Sequence, residues 1–209
     1  YETASLLLAG LSTPLVVSVH SIISFDFSIG IIPGWHTTIF PPYFVAGAIF
    51  SGVGMVITVL VPVRKAFGLE AYLRKEHFDN MGKLILLTSS IVGYSYGMEY
   101  FMAWYSANPY EQMSFWFRGF GYHWTSTWIM ICCNVLSPLP LWFKWCRTNV
   151  AWMWVTSIFI NIGMWFERYV IIMTGLSHEY DPAAWGYYVP SVVELLVLVA
   201  SFALFLTMF

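Results

Sequence analysis

The chain has 209 residues, of which 59% are hydrophobic, 20% aromatic and only 10% charged, and its mean hydropathy is +0.69. A soluble domain carries about 25% charged residues, so nine basic and eleven acidic side chains are too few to coat a water-facing globule. Composition therefore excludes a soluble enzyme and a disordered segment. With a net charge of −2 it also excludes nucleic acid as a partner and leaves the lipid bilayer.

A membrane-crossing helix needs about 20 mostly apolar residues. Six stretches qualify: Ser5–Ser24, Tyr43–Val63, Gly82–Tyr105, Tyr122–Phe143, Ala151–Gly175 and Pro190–Phe209. The other spanning solution, a β-barrel, needs strands of about 10 residues that alternate polar and apolar positions, and runs such as Ile57–Val63 do not alternate. The expected fold class is all-α, an integral membrane bundle of six transmembrane helices forming one domain over residues 1–209. The chain enters a span within a few residues of Tyr1 and stops in an apolar run at Phe209, which reads as a piece of a longer subunit.

The connections follow in order. Phe25–Pro42 is too short and too rich in Gly and Pro to span, and reads as re-entrant or interfacial. The next connection is basic, with Arg64, Lys65, Arg74, Lys75 and, at the start of span three, Lys83. Ser106–Gly121 reads as a loop holding Arg118. Lys144 and Arg147 follow span four, and Leu176–Val189 joins spans five and six. Seven of the nine basic residues thus share one side, and the positive-inside bias makes the loops 64–79 and 144–150 cytoplasmic. The other loops, rich in Trp, Tyr and Phe, face outward. Small residues at Ser89, Gly93 and Gly97, and at Ala48 and Gly52, read as helix-packing faces. Cys132, Cys133 and Cys146 form no Cys-x-x-Cys. Cys132 and Cys133 read as small apolar residues near mid-membrane.

An ionisable group inside a span costs roughly 2.5–3.5 kcal/mol on insertion scales, which makes each one a functional candidate. His20 lies one turn inside the outer end of span one, with Asp26 just past it. Glu99 lies about 10 Å short of the outer end of span three, and Glu167 and Arg168 sit in span five. His123 opens span four, and Glu194 stands one turn inside span six. All of them fall in the outer leaflet. An arginine at that depth needs a carboxylate, and Asp26 offers one to Arg168. Adjacent helical residues point about 100° apart, so Glu167 is only part of the answer. Asn161, two turns earlier, extends the stripe inward.

Three chemistries use such a layer. A quinol site needs a proton acceptor (Asp26, His20), a cation for the ring oxygens (Arg168) and aromatic walls (Trp35, Trp165). A haem needs axial ligands, for which His20 and His123 are the candidates. A proton-coupled transporter would use the carboxylates as a relay.

The run HSIISFDFSIGIIPGWHTTIFPPYFVAGAIFSG from His20, above all its Gly34–Gly52 part, and the run NIGMWFERYVII (Asn161–Ile172) resemble the NrfD/PsrC-like membrane subunits. Within them the resemblance is closest to the ActC subunits of bacterial alternative complex III. It implies a quinol-oxidising respiratory subunit of the bacterial cytoplasmic membrane that binds no haem or metal itself. Such a subunit takes quinol, of the menaquinol type, near the outer face. It passes electrons to an iron–sulfur subunit there, and these continue to multihaem and monohaem cytochrome c subunits. A homologous NrfD-like membrane subunit is a further implied partner. The six spans would match the second four-helix bundle and its flanking helices. Asp26 and Arg168 fall where these proteins place an aspartate and an arginine by the quinol pocket. The family's main pocket His and Asp belong to a first bundle that is not part of this chain. His20, Glu99, Glu167, Glu194 and His123 are added on depth and chemistry alone, the last four as a proton path.

Overall fold

Apolar runs of this length become helices because a bilayer offers no water to their backbone groups. A computed structural model of the chain describes all residues except Glu179, Tyr187 and Phe209, so the last residue of the sixth predicted span lies outside the described residues. The helices are α1 (Glu2–Ser28), α2 (Phe40–Ala66), α3 (Lys75–Tyr105), α4 (Pro109–Phe120), α5 (Trp124–Ile131), α6 (Lys144–Thr148), α7 (Val150–Ser177) and α8 (Val192–Met208). There is no strand among the described residues. By length and composition α1, α2 and α7 are each able to cross a membrane.

The bundle is a ring of four. α2 packs on α3 and α7, and the α5 column closes the ring between α3 and α7, while α1 lies against the outside of α2. Inward positions recur every three or four residues, as on α2 (Phe40, Tyr43, Phe44, Gly47, Phe50, Gly54, Ile57), the spacing that keeps side chains on one helical face. They build two stacked cores. Phe40, Tyr43, Phe44, Val92, Met130 and Val170 fill one. Phe50, Ile57, Phe78, Ile85, Met153 and Ile160 fill the other, toward the end that carries most of the basic residues. We call the two ends aromatic and basic. Between them Thr58 of α2 bonds Ser157 Oγ at 2.9 Å and accepts from Asn161 Nδ2 at 2.8 Å, so Asn161 serves the α2–α7 contact.

Four expectations are corrected. The first span runs on to Ser28, which puts Asp26 in the last turn of α1 instead of a loop. Residues 109–120 form a helix, because Asn108 caps it by accepting from Tyr110 N at 3.1 Å and Pro109 starts it. The fourth span is not one helix. After α5 comes a π-helical turn, Cys132–Leu136, and then a 3₁₀ turn, Leu139–Trp142, since Pro138 and Pro140 cannot continue the α-helical ladder. Lastly, Gly52 and Gly97 face outward with nothing nearby, and the close approaches fall at Gly54, where a Cβ would lie 2.9 Å from Ile160, and at Gly163.

The basic end is tied by Arg147, which donates to Asp79 Oδ1 at 2.9 Å and to the Leu141 and Trp142 carbonyls. Its stem crosses Gly82, where a Cβ would sit 3.0 Å from it. Lys83 reaches the other Asp79 oxygen at 2.6 Å. These hydrogen bonds, Lys83 first and then Arg147, hold the Asp79 carboxyl below its usual 3.8. A lowered value stabilises the fold above the ordinary pKa, and that contribution disappears as pH falls toward the folded value. Thermal unfolding of the purified protein and of Asp79→Asn should therefore differ at pH 5 and above. The two curves should converge on acidification to about pH 2.

Candidate functional site

Two polar clusters lie one above the other on the buried face of α3, which runs Ile85, Thr88, Ser89, Val92, Ser95, Tyr96, Glu99, Ala103. In the inner cluster the Tyr96 hydroxyl donates to Glu167 Oε2. Asn134 Nδ2 donates to Tyr96 Oη at 2.9 Å and to the same Glu167 oxygen at 3.3 Å. Ser89 Oγ donates to the Asn134 carbonyl at 2.8 Å, and the Tyr43 ring packs 5.8 Å from that of Tyr96. Asn134 belongs to the π-helical turn, an irregularity frequent at functional sites. It closes on α7 because Gly163 has no side chain, and a Cβ there would run into Asn134 Oδ1. Gly47 of α2 faces the same carboxyl, where a Cβ would make only ordinary contact with Glu167 Oε1 at 3.8 Å.

Glu99 follows Tyr96 by three residues, about 4.5 Å along the helix. Its Oε2 pairs with Arg118 Nη1 at 3.3 Å, with both side chains buried. Arg118 also donates from Nε to Thr174 Oγ1 at 3.2 Å and lies 4.6 Å over the Phe115 ring. Glu99 Oε1 is buried with no hydrogen-bond partner. Glu99 forms part of the wall of a half-open cavity of about 700 Å³, bounded by residues 34–42, the end of α3 and the first turns of α4. Ile39, Pro42, Met98, Met102, Ala103 and Phe115 make most of the lining apolar. At the exposed rim His36 Nε2 meets Glu111 Oε1 at 2.6 Å, and Ser106 Oγ donates to Glu111 Oε2 at 3.1 Å. Gly34, at φ +81°, makes the turn that brings this segment over Arg118, a conformation that favours glycine. An apolar chamber of this size with a few converging polar groups has the form of a small-molecule site, and its two carboxyl groups and imidazole are suited to proton exchange.

The expected residues divide. Glu99 stands in the cavity wall and Glu167 in the inner cluster. Asp26, His20, Arg168, Trp35 and Trp165 are not in the cavity lining. The expected Asp26–Arg168 pair is not formed. Phe27 takes the inward position, packing 4.8 Å from Trp35 and 5.6 Å from Phe44, so its neighbour Asp26 is turned outward and exposed. The Arg168 guanidinium lies 5.3 Å over Phe44 instead. His20 Nδ1 bonds the Val16 carbonyl of its own helix at 2.8 Å. Trp35 is a tie, donating Nε1 to the Ile171 carbonyl at 2.8 Å, and Trp165 stacks on Tyr169 on a partly exposed face. Glu194 closes a capping box on α8, accepting from Ser191 N at 2.6 Å while its own N–H donates to Ser191 Oγ at 3.3 Å. His123 is buried, 5.9 Å ring to ring from His178. Among the described residues no group of three or more His, Cys, Asp or Glu could hold a metal ion.

Arg118, His36, Glu111, Tyr96 and Asn134 are the residues that the sequence reading passes over. The signal for Arg118 is the Asn-Pro start at 108–109 followed by Glu111, Ser114 and Arg118 at helical spacing. Removing one partner of a buried pair strands the other's charge, at a cost of about 3–5 kcal/mol. Arg118→Leu should therefore lower the thermal midpoint of the purified protein sharply. The double variant Glu99→Gln, Arg118→Leu should recover part of that loss.

Among curated proteins none matches the chain. The family model described as polysulphide reductase, NrfD, matches residues 1–178, which include the cavity, both polar clusters and all four helical columns of the ring. Members of this family are membrane subunits of quinone-linked respiratory oxidoreductases and typically partner iron–sulfur proteins. The chain belongs to the polysulphide reductase NrfD family and is a multi-pass helical membrane protein.

Proposed function

We propose that this chain is the quinol-oxidising membrane subunit of a respiratory assembly of the alternative complex III type, and that the cavity at the aromatic end receives the quinol headgroup. The observation that carries the reading is the presence, in one largely apolar cavity, of Glu99 on the inner wall, held from behind by Arg118, and of the His36–Glu111 pair at the rim. Oxidation of the quinol releases two protons and two electrons. One hydroxyl proton goes to Glu99, whose free oxygen faces no other partner, and the second goes to the His36–Glu111 pair. Both electrons leave to an iron–sulfur partner on the same face and continue to multihaem and monohaem cytochrome c subunits. Arg118 holds Glu99 in place and offers a positive charge beside the ring oxygens. Met98 and Met102, one turn apart on α3, give an adaptable apolar wall suited to a menaquinone ring. Glu167, Tyr96 and Asn134 extend the polar path inward from Glu99. A homologous membrane subunit completes the assembly.

The resemblance of Gly34–Gly52 to ActC subunits supports this assignment, since that run supplies His36 and the cavity wall as far as Pro42. The basic end, with loops 64–79 and 144–150, is read as cytoplasmic on its Lys and Arg content, which makes the aromatic end the outer face of the bacterial cytoplasmic membrane. A second reading places the headgroup by Asp26, His20 and Arg168, walled by Trp35 and Trp165. It is favoured by the aromatic cluster Phe27, Trp35 and Phe44 beneath Arg168.

Quinol:cytochrome c turnover in the assembled complex separates the two. Glu99→Gln and Glu111→Gln should each lower it about 100-fold, the scale of a lost general base, while Asp26→Asn and Arg168→Leu change it by a small factor. The reverse ranking would assign the headgroup to the Asp26–Arg168 side.

A further inference from the structure

A pair of buried histidines lies across α4 from the cavity. His123 caps α5, and His178 follows the last residue of α7, Ser177. Their rings are 5.9 Å apart and nearly perpendicular. His178 stacks on Phe117 of α4 at 5.0 Å and packs against Trp185 at 5.3 Å.

Thr174 joins this pair to the cavity wall. Its hydroxyl accepts from Arg118 Nε at 3.2 Å, and its backbone hydrogen-bonds His178. Two further hydroxyls, of Tyr100 and Thr127, are buried without a hydrogen-bond partner. Tyr100 is the neighbour of Glu99 on α3, and its hydroxyl sits beneath α4, 3.3 Å from where a Cβ on Gly119 would be. Thr127 is one turn along α5 from His123, beside Trp128, whose Nε1 donates to the Gly119 carbonyl at 3.1 Å. The Tyr100 hydroxyl thus borders α4 at Gly119, and the Thr127 hydroxyl lies one turn from His123 on α5. A bridging water at such a hydroxyl would supply the hydrogen bond it lacks. Beyond the histidines, Phe117, Tyr122, His178, Trp185 and Gly186 line a second cavity of about 330 Å³.

We propose that His123 and His178 are the release relay for the proton that Glu99 accepts, carrying it beneath α4 by way of the Tyr100 and Thr127 hydroxyls and out through the second cavity. The proposal rests on the quinol reading of the first cavity. It explains why two imidazoles are buried on the far side of α4 with no part in the cavity itself. In each transfer an O–H or N–H bond breaks as the next forms, and no electron moves. The groups facing the pair are Arg118 from α4, Thr174 and Tyr169 from α7, and the rings of Phe117 and Trp185. Burial lowers the His178 pKa below its ordinary value, so the ring is neutral at pH 7 and open to a proton.

The test is steady-state turnover of the intact, fully assembled complex with a short-chain quinol, comparing wild type, His178→Asn, His178→Ala and Glu99→Gln. Turnover in both His178 variants should fall about tenfold, less than for a lost general base because only release is slowed. KM for the quinol should stay unchanged, and added imidazole should restore His178→Ala toward the wild-type rate. A structural role would move stability and assembly but would show no rescue by imidazole. Wild-type turnover in His178→Asn, or a slow His178→Ala that imidazole does not restore, overturns the relay. If Glu99→Gln is inactive while His178→Asn is unimpaired, the relay alone fails. If Glu99→Gln turns over normally, the cavity assignment fails and takes the relay with it.

Discussion

The buried bond between Arg118 and Glu99 organises the aromatic end of the bundle. Stripping either group of the other is costly, because a charge stranded in the interior has no water to satisfy it. Their pairing at 3.3 Å fixes α4 against α3, and the Arg118–Thr174 bond fixes it against α7. α4 is thereby held with its polar side inward. Ser114, Phe115, Arg118 and Gly119 are buried, while Met113, Trp116 and Phe120 look out. The cavity exists because that helix spans the gap, with residues 34–42 forming its other wall.

One turn deeper the same logic recurs with different residues. Glu167 is among the most buried side chains of the chain, and it is kept by Tyr96 and Asn134. The π-helical turn at Cys132–Leu136 and the missing side chain at Gly163 bring the amide to the carboxyl. α3 therefore carries both clusters as a spine, with Tyr96 and Glu99 three positions apart on its inward face. Polar groups thus lead inward from the cavity, and the proposed release route runs beneath α4 to the histidines. Toward the basic end the polar groups become structural, as in the Thr58–Ser157–Asn161 link and the Arg147–Asp79–Lys83 tie.

Much of this was legible in the residues. The helical class and the long apolar helices α1, α2 and α7 follow from composition and run length. The site was legible only in part, for two physical reasons. First, depth is readable from sequence but facing is not. Asp26 and Phe27, or Glu167 and Arg168, are neighbours of equal depth, and packing decided which of each pair turned inward. Arg168 is a cation inside an apolar run, and its guanidinium lies over the Phe44 ring. Second, a short amphipathic helix has too little hydropathy to register as a span, so residues 109–120 read as a loop and Arg118 as a loop residue. Its Asn-Pro start and the spacing of Glu111, Ser114 and Arg118 were the available signals. The π-helical turn that presents Asn134 had no comparable mark.

The central claim is that the quinol headgroup enters the chamber between residues 34–42, the end of α3 and α4. A photoreactive quinone bound to the assembled complex, followed by peptide mapping, tests it most directly. The account predicts label on residues 34–42 and 98–115, competed away by unlabelled quinol. Label confined to residues 20–28 and 165–169, with none on those two segments, would contradict it.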